Sequence, residues 1–201
     1  MSVSARIKEL NKRLAQKLTA KGVEASETET MTSLINKIDN LPTGQSDIDF
    51  SSLTDWRYFS YYNNRNTLVA KLKYSDTSNG TNFGSMFYSC SGLTTIPQLD
   101  TSNGTNFSNM FYSCSALTNL TIAGSINTSG MNLKSATKLS KSSITSVVNA
   151  LSASASGKSI TFSKTAVNNA FETSSGVADG STSEEWTTLI ATKANWTIAL
   201  S

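Results

Sequence analysis

Residues 76–93 read DTSNGTNFGSMFYSCSGL, and residues 100–117 read DTSNGTNFSNMFYSCSAL. The two stretches agree at 15 of 18 positions at a spacing of 24; only Gly84/Ser108, Ser85/Asn109 and Gly92/Ala116 differ. One period earlier lies a worn copy, in which Phe59, Tyr62, Val69, Leu72 and Asp76 fall 24 residues before Phe83, Met86, Leu93, Ile96 and Asp100. A chain that repeats itself with a period in the twenties builds one short unit several times over and buries each copy against the next.

Each copy has its own physical grammar. Asp-Thr-Ser-Asn-Gly is a turn, in which Asp bonds its own backbone and Asn-Gly supplies positive φ angles. Thr105 or Asn106 then starts a short helix, because Phe107, Met110, Phe111 and Cys114 sit at i, i+3, i+4 and i+7, one helical face. Leu117, Leu120 and Ile122 follow as an L-x-x-L-x-I strand, with Val69/Leu72/Tyr74 and Leu93/Ile96/Gln98 in the same places. This pattern predicts an α/β leucine-rich-repeat solenoid over residues 55–201, with a short strand and a short helix in every coil. Its parts are a capping coil at 55–75, regular coils at 76–122 and irregular C-terminal units at 123–201. No coil buries enough apolar surface to offset its own ordering, so stacking is obligatory.

In the irregular units, Ser142/Ser143 cap a helix carrying Ile144, Val147, Val148 and Leu151. Lys158–Ser163 reads as a strand with Ile160 and Phe162 on one face. Ser181-Thr182-Ser183-Glu184-Glu185 opens a further helix with Trp186, Leu189 and Ile190, leading into a strand at Trp196–Leu200. Residues 172–182 read as an inserted loop.

Ahead of the repeats, residues 1–41 predict a helical hairpin. Val3, Ile7, Leu10, Leu14 and Leu18 recur at spacings of 4, 3, 4 and 4, and Lys21-Gly22 stops that helix. Ser26, followed by Glu27 and Glu29, starts a second helix with the stripe Met31, Leu34, Ile35 and Ile38, closed by Leu41-Pro42. The two stripes pack on each other, or form a docking and oligomerisation seam between copies. Residues 42–54 are a linker.

Composition removes several function classes. Charged residues are 15% of the chain and the net charge is +3, which gives no nucleic-acid footprint. Small polar residues dominate, with 34 Ser, 26 Thr and 18 Asn. There is no histidine, and so no Ser-His-Asp or Cys-His nucleophile. No paired carboxylates or phosphate loop replace it, so no enzyme, cofactor or metal site is expected. The first twenty residues form no secretory signal, and no run has the ~20 apolar residues of a membrane span.

The stretch LDTSNGTNFSNMFYSCSALTNL resembles the bacterial surface-antigen class of leucine-rich repeats, with the core D-T-S-N-x-T-N-x-x-x-M-F-x-x-C-x-x-L. The resemblance covers about residues 50–201, including TDWRYFSYYNNRN and SITSVVNAL…SEEWTTLIATKANWTIAL. It implies a domain used in bacterial adhesins and in structural proteins of their phages. LAQKLTAKGVEASETETMTSLINKI is similar, more weakly, to helical segments of phage tail and baseplate proteins. Together with the absent export signal, this points to a virion-surface protein made in the host cytoplasm. Residues 1–41 would join other virion proteins as a homo-oligomer, and the repeats would meet host carbohydrate or protein. A bacterial interaction or adhesion module is the alternative.

The candidate ligand-facing strip is Lys71, Lys73, Thr94, Thr95, Thr118, Asn119 and Thr121, which face outward along the strands. The cluster Trp56, Tyr58, Phe59, Tyr61 and Tyr62 covers the end of the stack or forms a glycan platform. Cys90 and Cys114 occupy equivalent places; they are buried thiols or a disulfide. Asp76 and Asp100 cap turns, or form a carboxylate ladder for calcium.

Overall fold

The computed structural model describes residues 2–29, 33, 34, 37, 52–61, 76–171 and 183–201. Of the sequence expectations, the linker at 42–51, most of the capping coil (62–75) and the loop at 172–182 lie outside them. The elements are α1 (Val3–Ala20), β1 (Thr95–Asp100), β2 (Asn119–Ala123) and β3 (Asn132–Leu133), followed by α2 (Lys141–Ala150) and β4 (Lys158–Phe162). They end with α3 (Lys164–Phe171), α4 (Glu184–Ala191) and β5 (Trp196–Leu200).

The repeats do stack. Asp55 bridges Asn82 and Asn82 bridges Asn106 in parallel. The segment expected to be a helix is, however, a run of tight turns. Phe83 N–H donates to the Asn106 carbonyl at 2.9 Å, Ser85 to Ser108 at 2.9 Å, Phe87 to Met110 at 3.0 Å and Ser89 to Tyr112 at 2.8 Å. Alternate amides thus point at the neighbouring repeat and are lost to any i→i−4 ladder. Between them, Met86 donates to Phe83 and Cys90 to Phe87, closing turns at 3.2 Å. These turns put Ser85, Ser89, Asn109 and Ser113 at φ of 55–57°.

The positive φ expected at Asn-Gly is therefore found at serine and asparagine instead. Gly80 and Gly104 have another reason to be glycine. A Cβ on Gly104 would lie 2.2 Å from Phe107 Cζ, and one on Gly80 2.3 Å from Phe83 Cζ. The turn folds flat onto its own repeat's phenylalanine ring.

Two register expectations are also corrected. The first repeat is 27 residues long, not 24: Trp56 N–H donates to the Asn82 carbonyl and Ser60 N–H to that of Met86. Trp56 and Phe59 therefore take the places of Phe83 and Met86. In β1, Ile96 pairs with Leu120 but Leu99, not Gln98, pairs with Ile122. Proline has no N–H for the ladder, and the bulge over Pro97-Gln98 absorbs one residue.

The leucine-rich-repeat solenoid expected from the period is overturned. The strands form two separate short parallel sheets, β1-β2 and β3-β4-β5, within a small mixed α/β domain, and no curled ladder joins them among the described residues. The cause lies on α2. Leu120 N–H donates to Ser143 Oγ at 2.9 Å and Ile122 N–H to Ser146 Oγ at 3.0 Å. Those hydroxyls donate in turn to the Thr118 carbonyl at 3.2 Å and the Ile122 carbonyl at 3.4 Å. Two helix serines thus take the part of a third strand, and the sheet ends at β2.

The second sheet carries Ile160 and Phe162 inward, and α4 packs Trp186 edge-on to Phe162 at 6.1 Å. It shares one apolar core with the repeats, and polar contacts add to the hold. Lys193 Nζ donates to the carbonyls of Asn149 (3.0 Å) and Leu151 (2.7 Å) at the C-terminal end of α2. Trp196 Nε1 donates to the Ser152 carbonyl at 2.9 Å, and Asn195 donates to the carbonyls of Ser152, Ala153 and Ala155. A cation at a helix C-terminus satisfies carbonyls that the helix leaves free. α3, which the sequence reading did not separate, is a two-turn helix with Ala166, Val167 and Phe171 buried.

At the other end, α1 runs as expected from N-cap Ser2 to Lys21, with Gly22 at φ 78°. The expected hairpin partner is described only in part: Ser33, Leu34 and Lys37 are helical. Glu29 organises its approach, accepting from Ser26 N–H at 2.7 Å and pairing with Lys37 Nζ at 2.8 Å. Hydrogen bonds from Lys37, Ser33 and Ser26 hold its carboxyl at about 2.

Ser143→Ala or Ser146→Ala leaves an N–H of β2 without its partner, and each is expected to cost about 1–3 kcal/mol in urea unfolding. Ser115→Ala, on an exposed position, is expected to cost less than about 0.5 kcal/mol; equal effects for all three would refute the capping role. Glu29 is ionised in the fold well below the ~4.3 of a free glutamate. Its contribution is therefore present above that pH and lost as pH falls toward about 2. Protection of the Ser26 amide in hydrogen exchange is expected to fall over that window, and in Glu29→Gln to be low throughout.

Candidate functional site

The repeats place like side chains in rows, and one aromatic row lies at the surface, half-buried until its last ring. Tyr61 stacks on Tyr88 at 5.0 Å, and Tyr88 on Tyr112 at 4.8 Å with the planes 14° apart. That spacing is the ~4.8 Å between hydrogen-bonded backbones, so the backbone sets the ring separation. Tyr58 meets Tyr61 edge-on at 5.0 Å. Behind this ladder run two buried ones, Phe83–Phe107 at 5.6 Å and Phe87–Phe111 at 5.9 Å. Tyr112, the last rung, is 43% exposed, the one large apolar side chain among the described residues to be so open.

The aromatic cluster read from the sequence thus divides. Trp56 and Phe59 are core, with rings 5.2 Å apart, while Tyr58 and Tyr61 lie half-buried on the ladder. Tyr62 lies outside the described residues. Tyr88 and Tyr112 were missed as a surface pair, although their 24-residue spacing was in view. Only the position of their rings outside the core made them a site.

The strand strip is exposed at Thr94, Thr95, Asn119 and Thr121 and half-exposed at Thr118; Lys71 and Lys73 lie outside the described residues. It is partly self-engaged. Thr118 and Asn119 N–H groups donate to the Thr94 carbonyl, and Asn119 Nδ2 reaches Thr95 Oγ1 at 3.4 Å. Of the N-terminal stripe, Leu10, Leu14, Leu18 and Leu34 are buried in the chain's own core, and Val3 and Ile7 are half-buried. Met31, Ile35 and Ile38 lie outside the described residues.

Arg6, on α1, is buried with its charge opposed by Asp55 at 3.7 Å. Burial pushes this guanidinium below its ordinary value, against the pull of Asp55. Asp55 is buried enough to raise its carboxyl, but hydrogen bonds from Arg57, at 2.8 Å from Nη2, outweigh that and hold it low. Asp55 replaces the asparagine of a ladder in which Asn106 Nδ2 donates to Asn82 Oδ1 at 3.1 Å. The two arginines close that ladder at its first rung.

The other candidates resolve into structure. Asp76 and Asp100 accept from the N–H groups of Ser78 (2.8 Å) and Ser102 (2.9 Å), as turn caps do. Among the described residues no three His, Cys, Asp or Glu gather as a metal site. None of the described helices is long and apolar enough to cross a membrane. Cys90 and Cys114 are free and buried; their thiols donate to the carbonyls of Ser60 (2.7 Å) and Phe87 (3.0 Å), each in the preceding repeat. Burial, with the nearby Cys90, pushes the Cys114 thiol up to about 12.

Charge is uneven along the chain. Residues 101–171 hold five lysines (Lys134, Lys138, Lys141, Lys158 and Lys164) and no Asp or Glu. Beside the last tyrosine rung, Asn109, Tyr112, Asn132, Lys134 and Ser135 bound a small hollow of about 100 Å³.

Fold and surface together define a small mixed α/β domain built on stacked repeats, with a tyrosine ladder that ends in an exposed ring. The chain belongs to the family described as "Mycoplasma protein of unknown function, DUF285", whose model matches residues 15–150, about two thirds of its length. No curated protein and no solved structure matches the chain.

In the unfolded chain a thiol ionises near 8.5. The neutral Cys114 of the fold therefore contributes its full stability below that pH and loses it as pH rises toward about 12. Urea midpoints are expected to fall between pH 9 and 11, with the fall smaller in Cys114→Ala. Both thiols are expected to resist iodoacetamide at pH 8 until the protein is unfolded; fast alkylation of the native chain would refute this.

Proposed function

We propose that this chain is a phage virion structural protein whose N-terminal helical segment, residues 1–41, anchors it to the particle. Its repeat domain is displayed at the virion surface for host recognition or decoration. The observation that carries the recognition half is the tyrosine ladder with its open last rung, an ordered stack that ends in an exposed ring. The resemblance to repeats of surface adhesins and phage structural proteins supports the same reading, as does the absence of histidine and of any paired-carboxylate constellation. It is a binding protein, not an enzyme.

On α1, the burial of Leu10, Leu14 and Leu18 leaves the half-buried Val3 and Ile7 and the polar face bearing Lys8, Lys12 and Arg13 for anchoring. Light scattering of the full chain tests the anchor. A symmetric homo-oligomer, trimer or larger, is expected, dissociating in the double variant Val3→Asp, Ile7→Asp with the melting temperature kept. A monomeric full chain would overturn the virion reading.

The family's description as a mycoplasma protein favours a second reading, a bacterial adhesion or interaction module outside any virion. A monomer that still bound host cells through the tyrosine face would establish it.

A further inference from the structure

We propose that the open face of Tyr112 is a saccharide-binding subsite. A pyranose ring stacks on that face, and Lys134, the next residue of the row, holds an acidic substituent of that sugar. The inference rests on the recognition reading above and names its ligand class.

The ladder supplies the first argument. Each ring is covered by the next at about 5 Å, from Tyr61 to Tyr88 to Tyr112. The next unit is two residues shorter: Ser140 N–H donates to the Thr118 carbonyl and Leu139 N–H to that of Ala136, so buried Ala136 takes the place of Cys114 and Lys134, which has no ring, that of Tyr112. The stack therefore stops with one aromatic face bare at 43% exposure, held flat by the ring beneath it. A rigid exposed ring costs little conformational entropy when a second flat body covers it.

The second argument is the chemistry of the hollow at that face. A pyranose presents an apolar face of C–H groups to a ring and a rim of hydroxyls that seek amides. Here the rim is Asn109, Asn132 and Ser135. Asn132 is preset, since its Oδ1 accepts from Lys134 N–H at 3.0 Å and so fixes the amide with Nδ2 as the remaining donor. Asn109 stands at φ 57°, and its side chain makes no hydrogen bond among the described residues. A hydrophobic peptide anchor would instead need a deeper apolar pocket than this shallow polar one.

The third argument is charge. Lys134 lines the hollow and has no ion pair among the described residues, within a 71-residue stretch holding five lysines and no acidic residue. An uncompensated cation beside a stacking face selects a sugar carrying a carboxylate or phosphate over a neutral one.

The test is the full chain on an array of immobilised acidic and neutral oligosaccharides, followed by titration of the bound ones with tyrosine fluorescence as the readout. Binding is expected to concentrate on acidic oligosaccharides. Tyr112→Ala is expected to weaken it at least tenfold and Tyr112→Phe to retain it, since the phenyl ring still stacks. Lys134→Ala is expected to abolish the preference for acidic over neutral sugars. Melting temperatures are expected to stay within a few degrees, because both side chains are exposed. Failure to bind any saccharide on the array, or binding indifferent to Tyr112→Ala, would overturn the subsite. If the chain then still bound host cells, the recognition reading would stand without it. Binding of aromatic or proline-rich peptides at Tyr112 in place of sugars would also overturn it.

Discussion

Every backbone amide in the repeat region must find an acceptor, and for alternate amides that acceptor is the neighbouring repeat. The amides of Phe83, Ser85, Phe87 and Ser89 are spent on the carbonyls of Asn106, Ser108, Met110 and Tyr112. That one constraint fixes the spacing of the repeats, forbids the short helix and goes with left-handed φ at Ser85 and Ser89. It also lines up every equivalent side chain. The phenylalanine ladders, the Asn82–Asn106 amide pair and the thiols of Cys90 and Cys114 are consequences of it, as is the tyrosine ladder. Even the thiols follow the rule, each donating to a carbonyl one repeat back.

A stack held this way has ends, and an open end exposes both hydrophobic surface and unpaired backbone. The chain closes its first repeat with charge: Asp55 stands where an asparagine would, and Arg6 and Arg57 neutralise it. It closes the edge of β2 with the hydroxyls of Ser143 and Ser146, which mimic a strand without extending the sheet. Beyond α2 a second sheet begins, and Lys193, Asn195 and Trp196 tie it back to the loop after that helix. Domain shape is decided at these closures more than within the repeats.

The same logic leaves the surface as the place for the proposed recognition. The interior is filled by Phe, Met, Leu and Cys in rows, with no metal-binding group of three His, Cys, Asp or Glu among the described residues. What remains for a partner is the outward row, and only where that row breaks off does it offer an open face. Tyr112 is exposed because the following unit departs from the repeat, putting Lys134 where a tyrosine would continue it.

Much of this could be read from the sequence. The 24-residue identity of residues 76–93 and 100–117 determined that like residues would stack. The apolar spacings determined α1, α2, β4, α4 and β5, because 3.6- and 2-residue periods leave few alternatives. Asp76 and Asp100 were legible as turn caps from their neighbours alone. The spacing of Phe107, Met110, Phe111 and Cys114 misled, because a four-residue run of turns and a helix bury the same positions. Hydrogen bonds between repeats choose between them, and those are tertiary. Tertiary structure alone also decided the 27-residue first repeat, the bulge at Pro97-Gln98 and the division into two sheets. Each depends on which group satisfies a backbone amide from a distant part of the chain, and sequence periodicity carries no record of that choice.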